Sequence, residues 1–353
     1  MRLAIDAANL AHDRRGMGRV VRPVVHAALA DERFDVTLLA RRRDREALRA
    51  DFGAGVRICP PGGARRRNRY DAVWLPFNGM RFACAAPVLV TIYDVFAFSE
   101  PARGLVARWR EQAPIRRAAR RAQRIITISQ WSAAHIASTL RVPAQRISVV
   151  PPLPDAFFFP GGGDTLPPNL QGKRFVLFVG GPEPRKNAAM LIEACAKVLA
   201  PPTEVLAVVG NLGALDEERL RAQGVPSVRL RADDTLLRAL YRNATLVTVP
   251  SRGEGFGLVA AEAMACGAAV IAADAAALPE ATGDAAVLVD PDDVEGWAAA
   301  IRRLLDDPDE LAAQRARSHA RYADADHGQP VRAMLDALCA LRGASRQAPA
   351  DAR

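Results

Sequence analysis

Lysine is nearly absent from this 353-residue chain, with three residues against 45 arginines. Alanine is also heavily used, and the bias reads as genome composition more than function. No run of 18 or more apolar residues occurs, which argues against a transmembrane helix. Met1 leads straight into the strand-like Leu3, Ala4 and Ile5 without the charged and apolar regions of a signal peptide. The expected location is therefore cytoplasmic, with the inner face of the membrane in reach. The five cysteines, Cys59, Cys84, Cys195, Cys266 and Cys339, are widely spaced and form no C-x-x-C pair. They indicate neither a disulfide framework nor a zinc site. The five histidines show no metal-ligand spacing. No G-x-G-x-x-G follows a first strand with an acid about 20 residues on, which speaks against a dinucleotide oxidoreductase.

Half of the residues are hydrophobic, enough for two domains with cores of their own. The net charge of +9 is unevenly spread. Residues 1–170 carry 27 arginines, no lysine and 14 acids, whereas residues 171–353 carry 21 basic and 25 acidic side chains. Such asymmetry points to different partners for the two halves.

The most informative stretch is residues 249–280, VPSRGEGFGLVAAEAMACGAAVIAADAAALPE. An apolar run ends in Pro250, a glycine-punctuated loop follows, and an alanine-rich helical pattern from Leu258 stops at Gly267. A second apolar run leads to Pro279 and Glu280. This is a strand, turn, helix and strand of a parallel sheet. Its loop stands at the carboxyl end of a strand, where open α/β sheets bind ligands. Glu254 in the loop and Glu262 one turn into the helix have seven residues between them. Ionised carboxylates only accept hydrogen bonds, which suits the vicinal hydroxyls of a sugar. Gly255, Phe256 and Gly257 lie between them, where glycine permits close backbone approach and a helix start favours phosphate oxygens.

The pattern E-G-F-G-L-x-x-x-E-A-M-A-x-G-x-x-V, with Pro250-Ser251 before it and Pro279-Glu280 after it, resembles the signature of the group 1 glycosyltransferases. These are retaining enzymes with an E-x7-E motif and the GT-B fold. The resemblance implies an α/β chain with two Rossmann-like parallel-sheet domains facing a central cleft. It covers residues 175–289 strongly and the first half in patches that keep the family order.

Carried over residue by residue, the resemblance gives Glu262 the donor's ribose hydroxyls and Glu254 the transferred sugar. Gly255, Phe256, Gly257 and Leu258 would line the donor. Residues 181–187, GPEPRKN, follow another apolar run and resemble the family's diphosphate-binding segment. Arg185 and Lys186 inherit the neutralisation of the leaving diphosphate. Many relatives carry arginine where this chain has Gly181. Neither 181–187 nor 249–280 holds an Asp-x-Asp pair, so no metal and no cofactor beyond a nucleotide-sugar donor is expected.

In the first half, Gly16 and Gly18 follow the first strand and resemble the family's G-x-G-R segment beside the donor phosphates. The strand at 88–92 ends in Tyr93 and Asp94, where many relatives have His-Asp. Tyrosine hydrogen-bonds but does not titrate near neutral pH. Tyr93, Asp94 and Ser129 are the acceptor-side candidates. Pro151, Pro152, Leu153 and Pro154 replace the family's usual Pro-Asn-Gly. Other elements read as strands at 1–6, 35–39, 72–75, 124–129 and 147–150, and as a helix at 20–30 with Pro23 in its first turn. Arg41, Arg42 and Arg43 and the loop at 60–69 read as exposed and mobile.

Residues 115–124, IRRAARRAQR, put Arg116, Arg117, Arg120, Arg121 and Arg124 on one face if helical. That face is either a solvated surface or a patch for an anionic membrane or a lipid-diphosphate acceptor. Nucleic acid fits less well, because no aromatic residues are interleaved.

The expected organisation is an acceptor-binding domain at 1–160, a linker at 161–171 and a nucleotide-sugar domain at 172–328. A C-terminal helix within 329–353 would pack back on the first domain and end in a frayed tail. The expected activity is retaining transfer of a hexose from a GDP-mannose or UDP-glucose type donor to a glycan or lipid-linked glycan, in cell-surface polysaccharide synthesis. The alternative is a catalytically silent nucleotide-sugar-binding subunit.

Overall fold

The computed structural model describes residues 1–13, 16–99 and 104–344. They form two compact units, residues 1–152 with the segment from Gly328 on, and Leu153–His327. Arg14 and Arg15 of the first glycine loop, and the tail at 347–353 expected to fray, lie outside the described residues.

Unit 1 is built on seven strands: β1 (Arg2–Asp6), β2 (Asp35–Leu39), β3 (Ile58–Cys59), β4 (Ala72–Leu75), β5 (Val88–Thr91), β6 (Arg124–Thr127) and β7 (Ile147–Val149). Their order is β3-β2-β1-β4-β5-β6-β7, and every pairing is parallel. A parallel sheet covered on both faces needs apolar residues at successive positions rather than alternate ones. Leu3, Ala4 and Ile5, and Val73, Trp74 and Leu75, are accordingly all buried. The indole of Trp74 donates to Thr91 Oγ1 at 3.0 Å, so its one polar group is satisfied inside the core.

The helices of unit 1 begin with α1 (Met17–Ala30), α2 (Arg45–Phe52), α3 (Phe96–Ser99), α4 (Leu105–Arg121) and α5 (Gln130–Leu140). Two expectations change here. Helix α1 starts at Met17 rather than residue 20, so Pro23 lies inside it, where its ring leaves the carbonyl four residues back without its helical N–H. Helix α4 ends at Arg121. Arg124 instead opens β6 and donates to Ser148 Oγ at 3.0 Å, so it does not belong to the arginine face. The segment at 60–69 contains a 3-10 turn, Pro61–Arg65, whose Ala64 is buried in the core.

Unit 2 carries β8 (Arg174–Gly180), β9 (Glu204–Gly210), β10 (Ser227–Leu230), β11 (Leu246–Val249), β12 (Val270–Ala273) and β13 (Val287–Val289) in the order β10-β9-β8-β11-β12-β13. All are parallel. Around them stand α6 (Ala188–Val198), α7 (Ala214–Ala222), α8 (Asp234–Asn243), α9 (Leu258–Ala265), α10 (Leu278–Thr282), α11 (Val294–Asp306) and α12 (Pro308–Ala323). The last helix, α13 (Gln329–Ala344), packs in unit 1 against α1, β4 and β5.

The changeover to unit 2 falls at Leu153. The glycine-rich stretch read as a linker is tied to α8, because Asp164 takes Arg238 at 3.3 Å and Arg242 at 2.5 Å. Both sheets reverse strand order beside their first strand, between β1 and β4 and between β8 and β11. Such switch points leave a crevice at the carboxyl ends of the strands.

Candidate functional site

In unit 2 the switch point is formed by the loop after β8 and the loop after β11. Asn187 fastens the two. It adopts a left-handed backbone at φ 58°, is buried, and its Nδ2 donates to the carbonyls of Pro250 at 3.1 Å and Pro291 at 2.7 Å. Its Oδ1 has no partner among the described residues. Arg252 N donates to Arg185 O at 2.8 Å, which adds a backbone tie. The turn after β13 also meets this loop, where the Arg252 guanidinium engages Asp292.

These ties bring the charged residues together. Lys186 Nζ donates to Glu254 Oε1 at 2.6 Å. Arg185 Nη1 donates to Gly253 O at 3.1 Å and stands 3.7 Å from Glu254 Oε2. All three side chains are largely but not wholly buried, at 24%, 16% and 13% exposure for Arg185, Lys186 and Glu254. Two cations on one carboxylate leave a local excess of one positive charge. At a strand-end crevice of low polarisability, that favours a polyanion.

Gly257 enters α9 at φ 112°, and a Cβ there would stand 2.7 Å from Leu278 Cδ2. Both the backbone angle and the packing therefore call for glycine. Phe256 and Gly257 are buried, while Gly255 and Leu258 are half-buried. A Cβ at Gly181 would meet only the carboxylate end of the exposed Glu183 side chain, which can turn away, so packing does not require glycine there.

Glu262 lies elsewhere in the network. It is buried on α9, and its Oε2 accepts from the hydroxyl of Tyr241 on α8 at 3.2 Å. Tyr241 is itself fully buried and packs edge-on to Phe158 at 5.7 Å. Sequence reasoning named Glu262 but missed Tyr241 and Asn187. Tyr241 closes the run Leu237-Arg238-Ala239-Leu240-Tyr241 on α8, and Asn187 directly follows the two cations.

The first-half candidates form a separate set in unit 1. Gly16 caps α1 at φ 53°, and Gly18 packs so tightly that a Cβ would meet Asp13 O at 2.0 Å. Ser129 caps α5 by accepting from Ser132 N at 2.9 Å, and Ser132 Oγ donates to Tyr93 O at 3.0 Å. Asp94 Oδ1 accepts from Phe96 N at 3.2 Å. The Tyr93 hydroxyl is buried with no hydrogen-bond partner among the described residues, and burial pushes its pKa upward.

Unit 1 also contains a cavity of about 340 Å³ at its own switch point. Asp6 and Asn9 line it from the end of β1, Arg41 and Asp44 from the end of β2, and Phe77 and Arg81 from the end of β4. His12 Nε2 and Asp44 Oδ1 are 3.0 Å apart at its edge. Burial raises the Asp6 carboxyl above the ordinary range, although the N–H of Ala8 and the charge of Arg81 pull it down. None of these was singled out as a site residue from sequence. They come from three separate loops, and only the fold gathers them.

Residues 173–307, most of unit 2, match the family model described as "Glycosyl transferases group 1". Among curated proteins, the chain is similar to the D-inositol 3-phosphate glycosyltransferase of Segniliparus rotundus, 36% identical over 209 residues, covering 54% of this chain and 46% of that protein. The enzyme of the same name from Mycolicibacterium smegmatis is 34% identical over 222 residues, covering 57% and 50%. The chain thus spans about half the length of the curated relatives it matches. Among solved structures, Anabaena HepE in complex with UDP and glucose superposes with a TM-score of 0.71 at 17% identity, covering 96% of this chain and 99% of that one. WaaG, a glycosyltransferase involved in lipopolysaccharide biosynthesis, gives 0.71 at 16% identity, covering 96% and 99%. Residues 173–307 are thus similar to the group 1 glycosyl transferases, and the two Rossmann-like units have the GT-B fold.

Proposed function

We propose that the chain is a retaining, metal-independent glycosyltransferase that moves a hexose from a nucleoside-diphosphate sugar of the GDP-mannose or UDP-glucose type. The observation that carries this reading is the meeting of Arg185, Lys186 and Glu254 at the switch point of unit 2. In the transfer, a bond forms between an acceptor oxygen and the anomeric carbon, and the bond from that carbon to the diphosphate breaks. Negative charge then grows on the diphosphate. Arg185 and Lys186 are already held in place to meet it, so little reorganisation is needed. Glu254 faces the sugar hydroxyls, the amides of Gly255, Phe256 and Gly257 meet sugar or phosphate oxygens, and Glu262 takes the ribose. A front-side departure, in which the donor phosphate takes the acceptor's proton, requires no base at Tyr93.

Unit 1 binds the acceptor, a glycan or lipid-linked glycan of cell-surface polysaccharide synthesis. Its cavity suits the phosphate-bearing end of such an acceptor: Arg41 and Arg81 complement an anion, Asp44 and Asn9 meet hydroxyls, and Phe77 covers an apolar ring face. The inositol phosphate in the names of the curated relatives is of the same phosphorylated, polyhydroxylated kind. Arg116, Arg117, Arg120 and Arg121 make the contact with an anionic membrane at the cytoplasmic face.

Incubation with UDP-glucose and GDP-mannose, with nucleoside-diphosphate release measured and the anomeric configuration of the product read by proton NMR, tests the reading. Release of one nucleoside diphosphate with the α-configured sugar retained supports it. Tight nucleotide binding with neither transfer nor hydrolysis would instead favour a silent binding subunit, a reading that the buried Tyr93 hydroxyl keeps open.

A further inference from the structure

Most large apolar side chains in the described residues are covered. Of the five that are exposed, three lie within the first five residues of α4: Leu105 at 83%, Val106 at 68% and Trp109 at 69%. At 3.6 residues per turn, Leu105, Trp109, Arg116 and Arg120 fall within an arc of about 60°, with Val106, Arg110 and Arg117 flanking it. Ile115, Ala118 and Ala119 occupy the opposite side and are buried against the sheet of unit 1. The helix has therefore already spent one face on the core, and its apolar wedge belongs to the other. Arg110, Arg117 and Arg120 make no hydrogen bond or ion pair among the described residues, and Arg116 lies over the Phe98 ring at 4.8 Å.

We propose that this face of α4 docks in the interface of an anionic lipid bilayer, with Leu105, Val106 and Trp109 entering below the headgroups and Arg110, Arg116, Arg117 and Arg120 seated on lipid phosphates. The proposal rests on reading the α4 arginines as a contact for an anionic surface, and adds a penetrating element to it. Charge decides the occupant. Between Leu105 and Arg121 the helix carries six arginines and one glutamate. A second copy packed face to face on the same surface would oppose cation to cation. A bilayer supplies phosphates beside acyl chains, which matches arginines beside an apolar wedge. Arginine stems lie along apolar surface while their heads stay at the polar level, and tryptophan favours the same depth.

The test uses the full chain with vesicles of phosphatidylglycerol and phosphatidylethanolamine, and with phosphatidylcholine vesicles as the uncharged control. Sedimentation should show binding to the anionic vesicles and little to the control. Tryptophan emission should shift to the blue, and Trp109→Phe should abolish the shift. The triple variant Leu105→Ser, Val106→Ser, Trp109→Ser should weaken partition at least about tenfold, and its residual binding should be released by salt. The variant with Arg110, Arg116, Arg117 and Arg120 changed to Gln should also bind more weakly. Both variants should keep the same thermal shift with nucleoside diphosphate, which separates this surface from the donor site. Loss of binding in the arginine variant alone would remove the wedge and leave the electrostatic contact. Full partition of the triple variant, or a dimer of the parent chain that the triple variant loses in size-exclusion chromatography, would overturn the proposal.

Discussion

Lys186 Nζ and Glu254 Oε1, 68 residues apart in sequence, form a 2.6 Å charge-assisted hydrogen bond where the loops after β8 and β11 meet. With Arg185 beside them, the pair makes a small, preorganised cationic excess. Most of the functional reading depends on this contact.

Replacing Lys186 by Ala should therefore cost far more in turnover than in folding. Removal of one preorganised electrostatic group typically lowers kcat by about 100-fold or more. Steady-state kinetics with the competent donor checks this, with Lys186→Arg as the conservative comparison. A Lys186→Ala enzyme with unchanged kcat/KM would take the diphosphate role away from this residue.

Glu262 and Tyr241 give a test that separates binding from packing. Tyr241→Phe leaves a buried carboxylate short of one donor and should cost about 1–3 kcal/mol of stability in urea denaturation. Glu262→Ala should in addition weaken nucleoside-diphosphate affinity by roughly tenfold, the loss of hydrogen bonds to ribose. Equal donor affinity in the parent, Tyr241→Phe and Glu262→Ala proteins would make Glu262 a packing residue only.

Tyr93 has the opposite expectation. Its hydroxyl is buried and lacks a partner among the described residues, so Tyr93→Phe removes an unsatisfied polar group. Stability should change by less than about 1 kcal/mol, towards the stable side. Transfer by the front-side route should persist. A large loss of activity in a normally folded Tyr93→Phe protein would show that the hydroxyl meets the acceptor.

Asp6 predicts a pH dependence. Burial raises its carboxyl above the ordinary value, so the folded form holds the proton more firmly than the unfolded form. Between the ordinary carboxyl value and the raised one, stability therefore falls as pH rises. Asp6→Asn keeps the acceptor for the N–H of Ala8 and removes the buried charge. Its melting temperature should exceed the parent's at neutral pH, and the gain should shrink as pH falls to the ordinary carboxyl range. A gain that grows towards acid pH would contradict the sign.

Much of the fold was legible because parallel strands are buried on both faces. Residues 72–75 and 175–179 are continuous apolar runs, residues 246–249 are broken only by Thr248, and each lies in a strand. Helix starts were harder. Gly18 and Pro23 disguise the start of α1. Leu105, Val106 and Trp109 disguise that of α4, since they are apolar on its exposed side and break the amphipathic pattern. Helix α12 went unread, although Asp307 caps it and Pro308 opens it. That Arg185, Lys186 and Glu254 stand in strand-end loops was legible from the apolar runs before them, while the roles given to them came from the family resemblance. The partner of Glu262 and the lining of the unit 1 cavity were not, because sequence separation hides contacts that only the sheet order creates.

The central claim is that the switch point of unit 2 holds a nucleoside diphosphate without a metal. Thermal denaturation with UDP, GDP, ADP, TDP and NAD(H), each in EDTA, tests it most directly, because a ligand bound only by the folded state raises the melting temperature by mass action. The account predicts a rise with one nucleoside diphosphate, abolished by Lys186→Ala, and none with NAD(H). No rise with any nucleoside diphosphate, or a rise with NAD(H) alone, would contradict it.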